Sequence, residues 1–312
     1  MRKARLVLAL AIVLCVPRPE APEAANSKPR SATVSVWRAG AWRPWWRSDR
    51  APTRWLAPDP ELTGALSWKR LDEGLEWASL RLACGAPAWR ARLIVARLDP
   101  SRLELSLVMD LSENNLRPGW SIDRAPEDAL LAVNAGQFLS TMPWGWVVID
   151  GVQRLGPGAA PLASAFFLDD SGRVGWIHGE LRRRPPGVVN AFQSYPTLLT
   201  GDGIVPAALR TPGSGVNLTH RDARLALGED REGWLLVALT RFDVAGDAAS
   251  AVPLGPTTPE MAAIMGALGA RDAVMLDGGI SAQLLLHGRD HAAPLKWRGF
   301  RKVPLALIAR PR

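Results

Sequence analysis

The sequence predicts an α+β protein in which strands dominate, built as mixed or antiparallel sheets with a few helices. Three observations carry this. Short apolar runs bounded by turn residues recur from Trp68 to the C-terminus. Only one stretch, after Thr257, has the spacing and caps of a well-defined helix. The order of elements is not a regular strand–helix alternation, and no internal repeat is visible.

The N-terminus stands apart from this pattern. Arg2, Lys3 and Arg5 precede the apolar run Leu6 to Val16, and a Pro/Ala/Glu-rich stretch follows with small residues at Ala24 and Ala25. This is a secretory signal pattern, assigned to residues 1–25, with an apolar core shorter than the about 20 residues of a membrane span. It implies export to a periplasm, the medium or the cell envelope. Leu14 before Cys15 is a poor lipobox residue. Once the leader is removed, Cys84 is the only thiol, so the mature chain forms no internal disulfide and depends on packing.

Residues 26–65 form an arm rich in Trp, Arg and Pro, with Trp37, Trp42, Trp45 and Trp46 crowded beside Arg38, Arg43 and Arg47. No helical or strand period fits it. It is expected to pack on its own domain; contact with a membrane surface or stacking on sugar rings are the alternatives. Residues 1–50 hold ten Lys or Arg against three Asp or Glu, which is +7 of the net +8. The remainder is almost neutral, so nucleic acid is excluded as a partner.

Residues 66–312 form the main domain. Glu76 to Leu82, Arg90 to Leu98 and Leu103 to Val108 read as three strands of an antiparallel meander, and a short helix is expected around Ala125 to Leu130. Leu130 to Val133 is a buried strand that delivers Asn134-Ala135-Gly136-Gln137-Phe138. Trp146 to Ile149 leads to Asp150-Gly151, and Ala165 to Leu168 with Val174 to Ile177 flank Asp169-Asp170-Ser171-Gly172 as a hairpin. Phe192 to Gly203 reads as a loop carrying Tyr195, the only tyrosine, and Pro206 to Leu218 as an exposed excursion. His220-Arg221-Asp222-Ala223-Arg224 then precedes Leu225 to Gly228 and the long apolar strand Trp234 to Leu239.

The segment Thr257 to Leu286 concentrates the chemistry. Thr257 with Glu260 fits a capping box, and Pro259 suits the first turn. Met261, Ile264, Met265 and Leu268 make one apolar stripe, and Gly269 is placed to end the helix. Ala273 to Leu276 is a buried strand that carries Asp277 into Gly278-Gly279, which let a ligand approach backbone and carboxylate together. Ile280 to Leu286 and Val303 to Ile308 supply the last strands.

Several chemistries are absent. There is no HExxH, no Gly-Lys-Ser/Thr phosphate loop and no strand-following GxGxxG, and His178, His220, His287 and His291 show no ligand spacing. Ser281 lacks the G-x-S-x-G setting of a nucleophile. Neither a metal nor a cofactor is implied. What remains is a set of strand-end polar residues: Asn134, Asp150, Arg224 and Asp277, with Gln137 and Tyr195 on adjoining loops. A guanidinium that holds a phosphate beside a carboxylate that acts as nucleophile, base or acid can hydrolyse a glycosidic bond to phosphate.

Four motifs give a resemblance over about residues 125–308: Asn134-Ala135-Gly136-Gln137-Phe138, Tyr195-Pro196-Thr197-Leu198-Leu199, Arg224-Leu225-Ala226-Leu227-Gly228, and Leu276-Asp277-Gly278-Gly279-Ile280-Ser281. In this order they resemble the phosphodiester glycosidase family. The resemblance implies a hydrolase that cleaves a sugar from a phosphodiester, and with the leader pattern the expected protein is an exported glycosidase acting on a glycan or envelope substrate. Asn134, Arg224 and Asp277 would line its pocket, with Gly278 and Gly279 shaping it and Ser281 at its edge. The family often has Phe at Gln137, Thr at Leu225 and Asp-Gly at Arg241-Phe242; the last change removes a carboxylate and adds a cation. Asp150 and Asp243 are the candidate partners of Asp277, about 5 Å apart for retention and about 6.5–9.5 Å for inversion. The rival reading is a non-catalytic envelope protein that binds glycan through the Trp/Arg arm.

Overall fold

A computed structural model describes residues 32–85, 90–111, 117–242, 254–289 and 293–312, so the leader at 1–25 and Asp243 lie outside the described residues. Residues 32–312 belong to one compact unit.

Three sheets share one core. The largest has nine strands, in the order Thr197–Leu199, Ala270–Leu276, Leu225–Asp230, Leu235–Phe242, Arg90–Leu98, Leu75–Cys84, Thr33–Arg38 and Ala41–Arg47, with Lys69–Asp72 beside Leu75–Cys84. A five-stranded sheet runs Val152–Leu155, Val147–Ile149, Val188–Ser194, Ser164–Asp169, Val174–His178. A second five-stranded sheet runs Leu295–Trp297, Leu284–Leu286, Leu131–Asn134, Leu305–Pro311, Leu103–Met109. Among the described residues every strand pairing is antiparallel. The α-helices are Pro60–Thr63 and Thr258–Ala267. The expected α+β class is therefore corrected to a mostly β, antiparallel architecture with few helices.

The central strands are apolar throughout because both faces are covered. Leu225 and Leu227 join the core between the sheets, while Ala226 between them faces the helix side. Leu235 to Leu239 divides the same way, which is why it reads as one continuous run rather than an alternation. Burying each such Leu or Val stabilises the fold by about 1.5–3 kcal/mol.

Helix Thr258–Ala267 has the expected capping box: Thr257 accepts from the Glu260 amide, and Glu260 accepts from the Thr257 amide. Gly269, at φ +99°, lies just past its end. The single apolar stripe is corrected, because the helix is buried almost all round. The N-terminal arm covers its outer side: a Cβ at Gly266 would lie 2.2 Å from Trp55, and one at Gly269 2.9 Å from Pro58.

That arm is itself a β-hairpin. Thr33–Arg38 and Ala41–Arg47 pair around Ala39-Gly40, both at positive φ, and Val34, Val36 and Trp46 enter the helix-side core. Three further expectations change. The meander stops after two strands, because Leu103–Met109 pairs with Leu305–Pro311 in another sheet. The helix near Ala125 is a 3-10 turn at Ile122–Arg124; Ala125 precedes Pro126 and is held at ψ 142°. Phe192 to Gly203 is half strand, in two pieces, rather than loop throughout. The hairpin Ser164–Asp169 with Val174–His178 forms as expected.

Candidate active site

Strand Ala270–Leu276 ends at Asp277, and two neighbouring segments hold the turn beyond it. The Asp277 amide donates to Gly136 O at 2.9 Å, and Asn134 Nδ2 donates to Asp277 O, also at 2.9 Å. Asn134 Oδ1 in turn accepts from the Gln283 amide at 2.9 Å. The Asn-Ala-Gly turn of one sheet thus clamps the Asp-Gly-Gly turn of another.

The two glycines are required by close approach. A Cβ on Gly278 would lie 2.5 Å from Ala223 O, and one on Gly279, at φ +56°, 2.9 Å from Asp222 Oδ2. The segment before strand Leu225–Asp230 therefore runs directly against the Asp277 turn, and the Gly279 amide donates to Ala223 O at 2.8 Å.

This segment is anchored from behind. Arg221 makes two contacts to the fully buried Glu260, at 2.7 and 2.8 Å, tying it to the helix. Arg224 is half-buried; its Nε donates to Pro256 O at 3.0 Å and its Nη2 to His220 O at 2.6 Å. Among the described residues it makes no ion pair, and Nη1 has no protein acceptor. Burial lowers the Arg224 pKa, and the Asp222 charge works against that shift.

Asp277 is also half-buried. Burial raises its carboxyl pKa from 3.8 to about 6; the Ser281 hydrogen bond and the Arg301 charge oppose the rise, and the Asp222 charge adds to it. A carboxyl group pushed up to about 6 in the same cleft as an arginine that makes no ion pair among the described residues is the arrangement expected where protons are moved on an anionic ligand.

These groups open onto a cleft of about 290 Å³. Asp277, Gly278, Arg224, Gln137 and Tyr195 line it. Gln137 Nε2 donates to Tyr195 O at 3.1 Å, and the Tyr195 ring packs edge-on to Trp144 with centroids 4.7 Å apart. Ser281 and Gly279 lie buried behind the wall, where Ser281 opposes the rise in the Asp277 pKa. Asn134 is buried too, its amide spent on backbone groups, so it positions Asp277 rather than lining the cleft. Asp150 stands outside, exposed in a hairpin turn at φ +50°, with its amide on Asn190 Oδ1. It lies near Val189, at the end of its sheet opposite to the cleft residue Tyr195.

The sequence reading missed His220, Asp222, Asn217 and Thr258, all of which line the cleft. A signal for two of them was present. His220, Asp222 and Arg224 alternate, and in extended chain that period puts all three on one side. The excursion at 215–217 closes another wall.

A Ser–His–Asp series also occurs nearby. Ser164 Oγ is 2.7 Å from His178 Nδ1, and His178 Nε2 is 2.6 Å from Asp272 Oδ1. Ser164 is fully buried, however, and its Oγ also meets Thr197 Oγ1 at 2.5 Å, so no substrate carbon can reach it. Thr197 Oγ1 continues to Leu162 O at 2.7 Å, so the series braces the backbone beside the cleft residues Pro161 and Pro196. Among the described residues no group of three or more His, Cys, Asp or Glu is placed to hold a metal ion.

Fold and site together define a β-rich protein with a small cleft that holds one strand-end carboxylate and one arginine. A sequence model of the phosphodiester glycosidase family matches residues 127–310, and the chain belongs to that family. No curated protein matches the chain. Among solved structures, the catalytic domain of zebrafish N-acetylglucosamine-1-phosphodiester alpha-N-acetylglucosaminidase, auto-inhibited by its pro-peptide, superposes with a TM-score of 0.56 at 19% identity, over 80% of this chain and 89% of that one. A hypothetical protein from Synechocystis gives 0.51 at 17% identity, over 90% and 68%. A Burkholderia pseudomallei protein described as exported gives 0.50 at 14% identity, over 83% and 100%. At these identities the structures establish the fold.

Proposed function

We propose that the protein is an exported hydrolase that cleaves the bond between a sugar and the phosphate of a phosphodiester, in a glycan or cell-envelope substrate. The observation that carries this reading is the pairing in one cleft of Asp277, its pKa raised to about 6, with Arg224, whose Nη1 is open to an anion. Family membership supports the reaction class.

In this reading Arg224 holds the phosphate oxygens through charge-assisted hydrogen bonds. Asp277, mostly ionised at neutral pH yet close to its pKa, takes a proton from the attacking water. The water oxygen becomes the anomeric hydroxyl, the carbon–oxygen bond to phosphate breaks, and the phosphate leaves as a monoester. Asp222 raises the proton affinity of Asp277, Asn134 fixes its backbone, and Gln137 and Tyr195 face the sugar. Export is supported by the basic and apolar N-terminal pattern, and no helix among the described residues is long and apolar enough to cross a membrane.

The test is hydrolysis of a panel of sugar-1-phosphodiesters by the mature protein and by Asp277→Asn. Release of sugar by the parent and a loss of about 10²–10⁴-fold in the variant are expected. Equal release by both, or none from the folded parent across the panel, would transfer the assignment to a glycan-binding envelope protein.

A further inference from the structure

The turn that carries Asp277 continues outward as an apolar lip. A few large apolar side chains are exposed at scattered places among the described residues, and single ones need no explanation. Leu139, Ile280 and Phe300 differ, because they sit at 61%, 47% and 69% exposure on segments that are bonded to one another beside the cleft.

Backbone contacts build the lip. Ile280 comes soon after Gly278, which lines the cleft and on which a Cβ would stand 3.6 Å from Arg224 Cα. The Phe300 and Arg301 amides both donate to Ile280 O, at 2.8 and 3.1 Å. Gly299 permits this approach, since a Cβ on it would lie 3.0 Å from the carbonyl oxygens of both Ile280 and Ser281. From the opposite side, the cleft residue Gln137 runs into the hairpin of Phe138–Leu139 and Met142–Pro143, whose turn begins at Ser140, φ +55°. Arg301 joins the two sides. Its Nη2 donates to Ser140 O at 2.9 Å, and its guanidinium stands 4.6 Å from the centre of the Phe138 ring. Leu139 is thereby held about one arginine side chain away from Ile280 and Phe300.

Charge accompanies this surface. Arg301 is exposed, makes no ion pair among the described residues, and is near enough to Asp277 for its charge to oppose the rise in that carboxyl's pKa. Apolar surface therefore adjoins a cleft that already holds Arg224.

We infer that the lip receives the second alcohol of the phosphodiester, and that this alcohol is apolar, a lipid alcohol. The inference rests on the reading of the cleft as a phosphodiester site. A phosphodiester joins two alcohols through an anion. Asn217, His220 and Asp222 in the cleft suit the hydroxyl-bearing sugar, whereas the lip offers only hydrocarbon to the other side. In the reaction, water gives its hydroxyl to the anomeric carbon and its proton to Asp277. The carbon–oxygen bond to phosphate breaks, and its electron pair leaves with the lipid phosphate monoester. A second protein needs about 800 Å² on each side, more than three side chains supply. A bilayer surface fits less well, because the adjacent Lys296 and Arg298 are taken up by Asp123.

The experiment measures binding of octyl phosphate and methyl phosphate to the full mature chain by calorimetry, below the micelle concentration. These are product analogues, so neither the sugar nor turnover enters the reading. Octyl phosphate is expected to bind at least about tenfold more tightly than methyl phosphate. Ile280→Ser and Phe300→Ser should each remove about threefold or more of that preference, and Phe300→Leu, which keeps an apolar side chain, should retain most of it. Arg224→Gln should weaken both probes about tenfold. The inference is overturned if the octyl chain adds no affinity, if neither probe binds, if both serine variants keep the parent's preference, or if vesicles of anionic phospholipid bind more tightly with the same residue dependence. A parent that binds octyl phosphate through the lip yet hydrolyses no sugar phosphodiester would instead overturn the hydrolytic reading alone.

Discussion

Asp272 and Asp277 belong to one strand and its turn, yet they are provided for in opposite ways. Asp272 is buried, 2.6 Å from His178 Nε2 and 3.4 Å from Arg271. Asp277, at the far end, makes no ion pair among the described residues, and the lowering influence of Ser281 and of the Arg301 charge does not offset its burial. The lower end of the strand is satisfied and braces the cleft wall through Ser164 and Thr197. The upper end is left electrostatically incomplete, which is what a ligand or a proton can use. Burial alone therefore does not mark a functional carboxylate; missing compensation does.

The largest effect that would break this comparison is at the satisfied end. Asp272→Ala removes the partner of the half-buried His178 and of the more exposed Arg271, and should lower unfolding stability by about 3 kcal/mol in urea titrations. Activity should fall with it, because the wall at Pro161 and Pro196 loosens. A loss under about 1 kcal/mol would mean the network is not a brace.

At the incomplete end the sign reverses. The folded-state pKa of Asp277, about 6, lies above the ordinary 3.8, so the native state binds this proton more tightly than the unfolded chain does. Its contribution is fully present below about pH 4 and is lost as pH rises through 6, about 2 kcal/mol in all after allowing for partial exposure. Asp277→Asn should lack this fall and be the more stable protein at pH 8, in denaturation measured across pH.

Much of this was legible in the sequence where the signal is local. The Thr257–Glu260 cap, the Gly269 stop and the turn of Asp169 to Gly172 depend on neighbouring residues, and so do the two strand-end turns at Asn134 and Asp277. The rest depends on distant partners. Nothing near Leu103 announces pairing with Leu305–Pro311, and the hairpin at 33–47 turns on Ala39-Gly40 rather than an Asn-Gly pair, with few residues on its buried side. The helix looked one-sided because the arm that covers its outer face had no readable period. Asp150 shared the strand-end pattern of Asp277 but lies near Val189, at the end of its sheet opposite to the cleft residue Tyr195, whereas His220 and Asp222 were visible only as an alternation.

The most direct test of the account is the titration of the Asp277 carboxyl itself, by carbon NMR of the labelled mature protein with Asp277→Asn to assign the signal. A midpoint near pH 6, moving upward when phosphate occupies the cleft only if Arg224 fails to neutralise it, is the predicted result. A midpoint at or below the ordinary 3.8 would show that the carboxylate is compensated like any structural one, and would contradict the claim that this strand end was left open for chemistry.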